Sequence, residues 1–382
     1  MKDLSIYFEP VNEGLEIANE LKLVVQCHDS SGFPEIEEKG IAIIYVPEYR
    51  NSAENHKEVI ESFRAHFYSL YPGDNWNFSI YDLGTIKPGE STKDTSFALS
   101  QVVSELVKME IIPFVIGGGQ DLTIACYKGF ESHEQMINIC AIDAELDIGD
   151  PNKEVTSDGF ISHLLMQRPC HLFNYTSIGM QRPLVAKKNI NLFDELYFDI
   201  CRLGQLNDDF KVAEPLIRNS DLLSIDFKGL KSADTDGSKY PNANGISASQ
   251  ICQIAKYAGM SDKMSCVGIF DIHPEQNNVA SGLLAQIIWY FIEGVALRVG
   301  DFPIGSKKNY TQFHVHMDDF EEDLVFYKSN KSSRWWLEVR YNSEAGSKYN
   351  RHKMVPCDKE DYDNSLNNHV PDLWWKTLKK IN

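Results

Sequence analysis

Residues Ile137–Asp147 read INICAIDAELD, six largely aliphatic positions followed by acids at 143, 145 and 147. A short apolar run without alternation describes a strand covered on both faces. Comparable runs occur at Ile41–Val46 (IAIIYV), Phe78–Tyr81 (FSIY), Pro113–Ile116 (PFVI), Tyr175–Ile178 (YTSI), Leu222–Ile225 (LLSI) and Val267–Phe270 (VGIF). Between them, Phe97–Val107 (FALSQVVSELV) carries apolar residues at 98, 99, 102, 103, 106 and 107, one stripe of a helix. Leu283–Leu297 (LLAQIIWYFIEGVAL) is apolar nearly all round, yet short and broken by Glu293, which reads as a buried central helix. Strands alternating with helices predict one doubly wound α/β domain over about residues 40–300.

Composition narrows the function classes. The chain has 382 residues, 37 Lys+Arg against 55 Asp+Glu, and a net charge of −18. A chain this acidic, without a Lys/Arg block, is not built to coat a phosphate backbone, so no nucleic-acid partner is expected. With 43% hydrophobic and 24% charged residues it is an ordinary globular composition. Met1–Pro10 (MKDLSIYFEP) is not a secretory segment, and no run is long enough to predict a membrane span. The eight cysteines are scattered with no CxxC, as expected of reduced thiols in a cytoplasmic protein. Residues 1–39 read as an N-terminal extension with a helix around Glu13–Gln26, and residues 40–307 as the α/β domain. Residues 308–382 read as a C-terminal extension. Its Trp335-Trp336 and Trp374-Trp375 pairs are expected to pack on the core or in a subunit interface of a homo-oligomer.

In an open parallel sheet, ligands bind beyond the carboxyl ends of the strands. There the sequence places Gly117-Gly118-Gly119-Gln120-Asp121, Asp143-Ala144-Glu145-Leu146-Asp147, Asp226-Phe227-Lys228 and Asp271-Ile272-His273-Pro274-Glu275. In extended backbone Asp143, Glu145 and Asp147 would project to one side. Three such carboxylates repel and are driven toward protonation unless a cation lies between them. Capping of helices or turns is the other reading of the same acids. No G-x-S-x-G nucleophile turn and no G-x-x-x-x-G-K-[ST] phosphate loop is present. Gly117–Gly119 alone could form an anion-binding turn, but Asp121 would repel a phosphate.

The segments GGG-x-D, D-A-x-x-D and S-x-D-x-x, each after a strand and in this order, resemble the ureohydrolase family of arginase, agmatinase and formimidoylglutamase. IYVPEYRNS at 44–52 and YDLG at 81–84 add to the resemblance. It implies a three-layer α/β/α arginase-like fold around a mainly parallel eight-stranded sheet. It also implies a binuclear manganese site whose bridging hydroxide attacks a guanidinium or formimino carbon. Asp143, Asp147 and Asp226 match the family's metal ligands, while Gln120 and Glu145 stand where it has His, and Lys228 where it has Asp.

These changes have physical consequences. Gln120 offers a neutral carbonyl, and Glu145 adds an oxygen that suits hard cations. A protonated Lys228 cannot coordinate a metal, and like charges ~4 Å apart cost about 4 kcal/mol per unit of charge product at an effective dielectric of about 20. Lys228 is therefore expected to replace one cation and neutralise the carboxylates, leaving its side of the site without metal. Gln120, Asp143, Glu145, Asp147 and Asp226 would then hold one manganese or other divalent cation weakly, or none. A bridging hydroxide needs both ions. The expected protein is accordingly a ureohydrolase-family member with a degraded metal site, weak or inactive on guanidino and formimino substrates and acting as a binding or assembly module.

A single-cation hydrolase of linear amidines is the alternative, and metal-free chemistry by Lys228 a third; an ion pair of Lys228 with Asp143 or Glu145 is the plain structural one. Asp147 and His163 are the candidate catalytic residues, His163 as a proton shuttle or simply a half-buried helix residue. Ser162 and Glu275 are candidates to hold a small amidine or amino-acid ligand.

Overall fold

In the computed structural model, which describes residues 3–11, 20–36, 39–52, 60–131, 136–235, 241–272, 278–318, 320, 322–341 and 347–381, the apolar runs form the middle of one sheet. Its strands are β1 (Phe8–Glu9), β2 (Val25–Cys27), β3 (Gly40–Tyr45), β4 (Ser79–Ile86), β5 (Ile111–Ile116), β6 (Ile137–Ile142), β7 (Leu172–Met180), β8 (Asp199–Arg202), β9 (Leu222–Asp226) and β10 (Cys266–Phe270). The order β4-β3-β5-β10-β9-β6-β7-β8 is parallel throughout, the eight-stranded sheet that the sequence predicts. Parallel β2 and antiparallel β1 add two short strands on the outer side of β4. Strand β8 (DICR) gives no apolar run because it is an edge strand with charged residues at both ends.

Side chains of successive strand residues enter opposite layers. Ile41, Ile43, Tyr45, Ile112, Phe114 and Ile116 pack with the helices Ile60–Tyr68, Ala248–Met260 and Asn278–Ala296. Ala42, Ile44, Ile111 and Val115 pack instead with Thr92–Lys108 and Thr123–Lys128. This is the three-layer α/β/α arrangement. Asn278–Ala296 is long and apolar enough to cross a membrane, but it runs through the first layer with Leu284, Ile287, Ile288, Phe291 and Ile292 buried. Of the helix expected around Glu13–Gln26, Glu20–Val24 is helical and Val25 onward is β2, while residues 12–19 lie outside the described residues. All eight cysteines are free.

Residues beyond 308 build a second, antiparallel sheet that the sequence reading does not anticipate. Its strands are β11 (Tyr310–Val315), β12 (Leu324–Ser329), β13 (Trp335–Glu338) and β14 (Met354–Cys357), in that order. Buried Arg218 ties it to the core, donating to the carbonyls of Trp335 and Cys357 at 3.1 Å with its guanidinium over the Trp336 ring. The helix Asp372–Ile381 docks through Lys376, 2.8 Å from Asp199 at the β8 edge.

A buried ion pair joins the YDLG segment to the helix beside it. Arg64 Nε and Nη2 donate to Asp82 at 2.7 and 3.0 Å, and the Tyr68 hydroxyl donates to the same carboxylate at 2.7 Å. Burial opposes the Asp82 charge, but Arg64 outweighs it and holds the carboxyl below its ordinary pKa. A depressed carboxyl stabilises the fold above its unfolded pKa near 4, and that contribution is lost as pH falls through the lower folded value. Arg64→Met strands a buried carboxylate, so urea titration at pH 7 should show a loss of about 3–5 kcal/mol. The deficit should shrink in acid; a loss that does not change with pH would mean Asp82 is not the partner that matters.

Candidate metal centre

Strands β5, β10, β9 and β6 are neighbours, because the chain crosses from β5 to β6 and returns later to fill the gap with β9 and β10. Four loops far apart in sequence therefore leave the sheet at one place.

The chain leaves β5 through Gly117 and Gly118, whose φ of +88° and +73° favour glycine. The turn is tied to the end of β10: Gly117 N–H donates to Ile269 O, and Gly118 O accepts from Asp271 N–H. Gln120 and Asp121 are thereby set, buried, in the single turn Gln120–Leu122. Gln120 Nε2 donates to Ser224 Oγ at 3.3 Å, while Gln120 Oε1 has no hydrogen-bond partner. Asn51 donates to Asp121 at 2.8 Å, and burial, reinforced by Asp271, lifts the Asp121 carboxyl to about 7.

The Asp143–Asp147 segment corrects the expectation of three acids on one side. Asp143 Oδ1 accepts from Glu145 N–H at 2.9 Å, so the backbone turns instead of extending. Asp143 and Asp147 are buried, whereas Glu145 is exposed. Oxygens of Asp143, Asp147 and Asp226 lie within 4.8 Å of one another, all three residues being buried. Glu145 is not part of that group.

Lys228 is the cation of the site. Asp226 Oδ1 accepts from Lys228 N–H at 2.7 Å in the turn after β9. The side chain places Nζ 2.6 Å from Asp158 Oδ1, 3.5 Å from Asp226 Oδ2 and 3.6 Å from Asp271 Oδ2. Among the described residues its ion pairs are with these carboxylates rather than with Asp143 or Glu145. Burial works against the ammonium charge, but Asp226, Asp271, Asp147 and Asp158 outweigh it and raise its pKa above the ordinary lysine value. One ammonium does not balance this many buried acids. Burial first, and then Asp143, hold Asp147 well above the ordinary carboxyl range, and burial with Asp143 and Asp271 does the same for Asp226. Asp143 and Asp147 act on each other at close range, and burial, the largest cause for both, raises the pKa of each.

The sequence places Asp271 at a strand end and Ser52 in the IYVPEYRNS segment, but assigns neither a role in the site. Asp271 directly follows the β10 run, as Asp143 follows β6 and Asp226 ends β9, and that register is the signal that could have found it. Its Oδ1 accepts from Ser52 Oγ at 2.6 Å and its Oδ2 from Gln120 N–H at 3.0 Å. Ser52 lies in the IYVPEYRNS segment, which carries no acid pattern to mark it. Ser162 donates to Gly149 O at 2.7 Å, a bond that fastens the helix Phe160–Leu165 to the preceding loop. His163 lines a cleft of about 870 Å³ with Asn51, Asp121, Val155 and Gln167, and the carboxylates of Asp143, Asp147 and Asp226 do not line it. Glu275 lies outside the described residues.

The donor set fits one hard cation. Three buried carboxylates converge, and Gln120 Oε1 and Asp147 Oδ2 are buried without hydrogen-bond partners. It does not fit a second beside Asp226 and Asp271, where the Lys228 ammonium is.

A sequence model of the arginase family matches residues 49–293. The formimidoylglutamase of Clostridium tetani is 23% identical over 241 residues, covering 57% of this chain and 70% of that protein. That of Streptococcus gordonii is 22% identical over 240 residues, covering 57% of this chain and 71% of its own. Among solved structures, formimidoylglutamase from Bacillus subtilis matches with a TM-score of 0.65 at 14% identity, over 75% of this chain and 96% of that one. Trypanosoma cruzi formiminoglutamase, crystallised with Mn2+, matches with a TM-score of 0.61 at 19% identity, over 68% and 94%. At such identities the structural likeness speaks for the fold.

In metal-free protein Lys228→Met leaves Asp226 and Asp271 without their cation. Denaturant titration at pH 8 should show a loss of about 3–5 kcal/mol. At pH 5 Asp226, whose pKa is raised, can take a proton instead, and the loss should shrink; equal losses at both pH values would show that the ammonium does not compensate it.

Proposed function

This chain belongs to the arginase family, and from that premise we propose that it is a ureohydrolase-fold binding protein in which Lys228 has taken the place of one of two cations. The observation that carries this reading is the Lys228 ammonium held within 3.6 Å of both Asp226 and Asp271 and pinned from outside by Asp158 at 2.6 Å. A dication in contact with that ammonium would meet a repulsion of several kcal/mol. Hydrolysis of an amidine by a hydroxide shared between two ions is therefore blocked at its first requirement, the second ion. The ligand of such a protein would be a small amidine or amino acid received at the carboxyl edge of the sheet.

A second reading has its own support, the three converging carboxylates, one of which, Asp147, has an oxygen without a hydrogen-bond partner, and the unpartnered buried Gln120 Oε1. Asp143, Asp147, Asp226 and Gln120 would hold one manganese or magnesium ion there, and such an ion supplies Lewis acidity when bound. Asp147 would carry and release a proton at the cluster, and Lys228 would keep Asp226 and Asp271 in place. The protein would then be a single-cation hydrolase of formiminoglutamate-, agmatine- or arginine-like substrates.

Metal analysis and product-release assays separate the two. The binding-protein reading expects less than one equivalent of manganese and no release of urea or formamide from arginine, agmatine or formiminoglutamate above the uncatalysed level. One tightly held equivalent with turnover would favour the single-cation enzyme, and two equivalents with turnover would remove both readings. Replacing Lys228 by Asp and both Gln120 and Glu145 by His should raise manganese occupancy toward two if the pocket has kept its shape.

A further inference from the structure

The antiparallel sheet beyond residue 308 carries a second group of metal-ligand side chains, of different chemistry. At the end of β11 and just beyond it, Val315 and Met317 are buried while His314, on the strand, and His316, past its last residue, are exposed. The last rung of the ladder pairs Val315 with Leu324, so His316 and Asp323 flank the point where the two strands part. The Asp323 carboxylate stands between the two rings, Oδ1 3.2 Å from His316 Nδ1 and Oδ2 3.9 Å from His314 Nδ1. All three side chains are reached by solvent, with relative exposures of 54%, 75% and 42% for His314, His316 and Asp323. Among the described residues β11 is the edge strand of its sheet.

The geometry points to a surface site for a divalent cation of the zinc type, held by His314, His316 and Asp323. His314 and His316 both approach the Asp323 carboxylate, one on each of its oxygens, which lets two imidazoles and one carboxylate converge on one ion. In the resting arrangement Asp323 and His316 are within hydrogen-bond distance and His314 is somewhat further off. Binding requires rotation of exposed rings, not movement of the backbone. The ion would displace whatever proton His316 and Asp323 share, and water would complete its coordination. Two nitrogen donors select a borderline cation such as Zn2+ or Co2+ over Mn2+ or Mg2+. The oxygen donors of Asp143, Asp147 and Asp226 on the other sheet have the opposite preference. The site thus stands independently of how the carboxylate cluster works.

The test is calorimetric titration of the metal-free full chain with ZnCl2. Wild type should show a zinc-binding step that persists in Asp143→Asn/Asp226→Asn, whatever zinc the carboxylate cluster takes up itself. In His314→Ala/His316→Ala the affinity should drop by about a hundredfold or more, since losing even an outer partner of a metal ligand typically costs roughly ten- to a hundredfold. Zinc-edge X-ray absorption of the wild-type complex should show imidazole scattering, which needs no variant to fold. Absence of zinc binding by wild type, unchanged affinity in the histidine variant, affinity that follows Asp143 and Asp226 instead, or a zinc shell without imidazole would each overturn the site.

Discussion

One ammonium nitrogen among carboxylates governs the carboxyl edge of this sheet. Lys228 Nζ is held by Asp158, Asp226 and Asp271, which come from three different loops. Charges buried together are tolerable only when opposite charge or protons balance them. Here the balance is partial. The lysine answers for the β9 and β10 side, while burial raises the pKa of Asp143 and Asp147, at the end of β6 and the turn beyond. Asp147 Oδ2 is buried there without a hydrogen-bond partner.

The scaffold makes this concentration of charge possible. Crossing from β5 to β6 before β9 and β10 are laid down brings four strand ends together in the middle of the sheet. The surrounding backbone is fastened at several points. Gly118 receives Asp271 N–H, Ser52 reaches across from the β3 loop to Asp271, and Asn51 does the same to Asp121. These bonds belong to loops, so the site is positioned by contacts between loops on top of a rigid parallel core. The second sheet is clamped elsewhere, through Arg218 and the helix Asp372–Ile381.

Much of the fold was legible because burial on both faces leaves a mark. Seven continuous apolar runs correspond to β3, β4, β5, β6, β7, β9 and β10. What lay at edges was not. β8 has the composition of a surface segment, and β1 and β2 are too short to show any period. The strands β11 to β14 were hidden because antiparallel strands facing water on one side mix polar and apolar residues, and aromatic side chains carry much of their packing. In the site, position after a strand located Gln120, Asp143, Asp226 and Lys228. The alternation rule failed at Glu145 because Asp143 bends the chain by accepting the Glu145 N–H, a local bond that competes with extended backbone.

The sequence alone determined the family, the parallel three-layer core and the presence of a glutamine, a glutamate and a lysine beside the acids at the strand ends, since these depend on residue type and order along one chain. Only the tertiary structure decided which acids face Lys228, that Asp271 and Asp158 are among them, that Glu145 turns to solvent and that His163 lines a separate cleft. Those facts depend on how loops remote in sequence meet above the sheet. Their meeting is fixed by strand order and by the burial of unlike charges together, neither of which is written in any single segment.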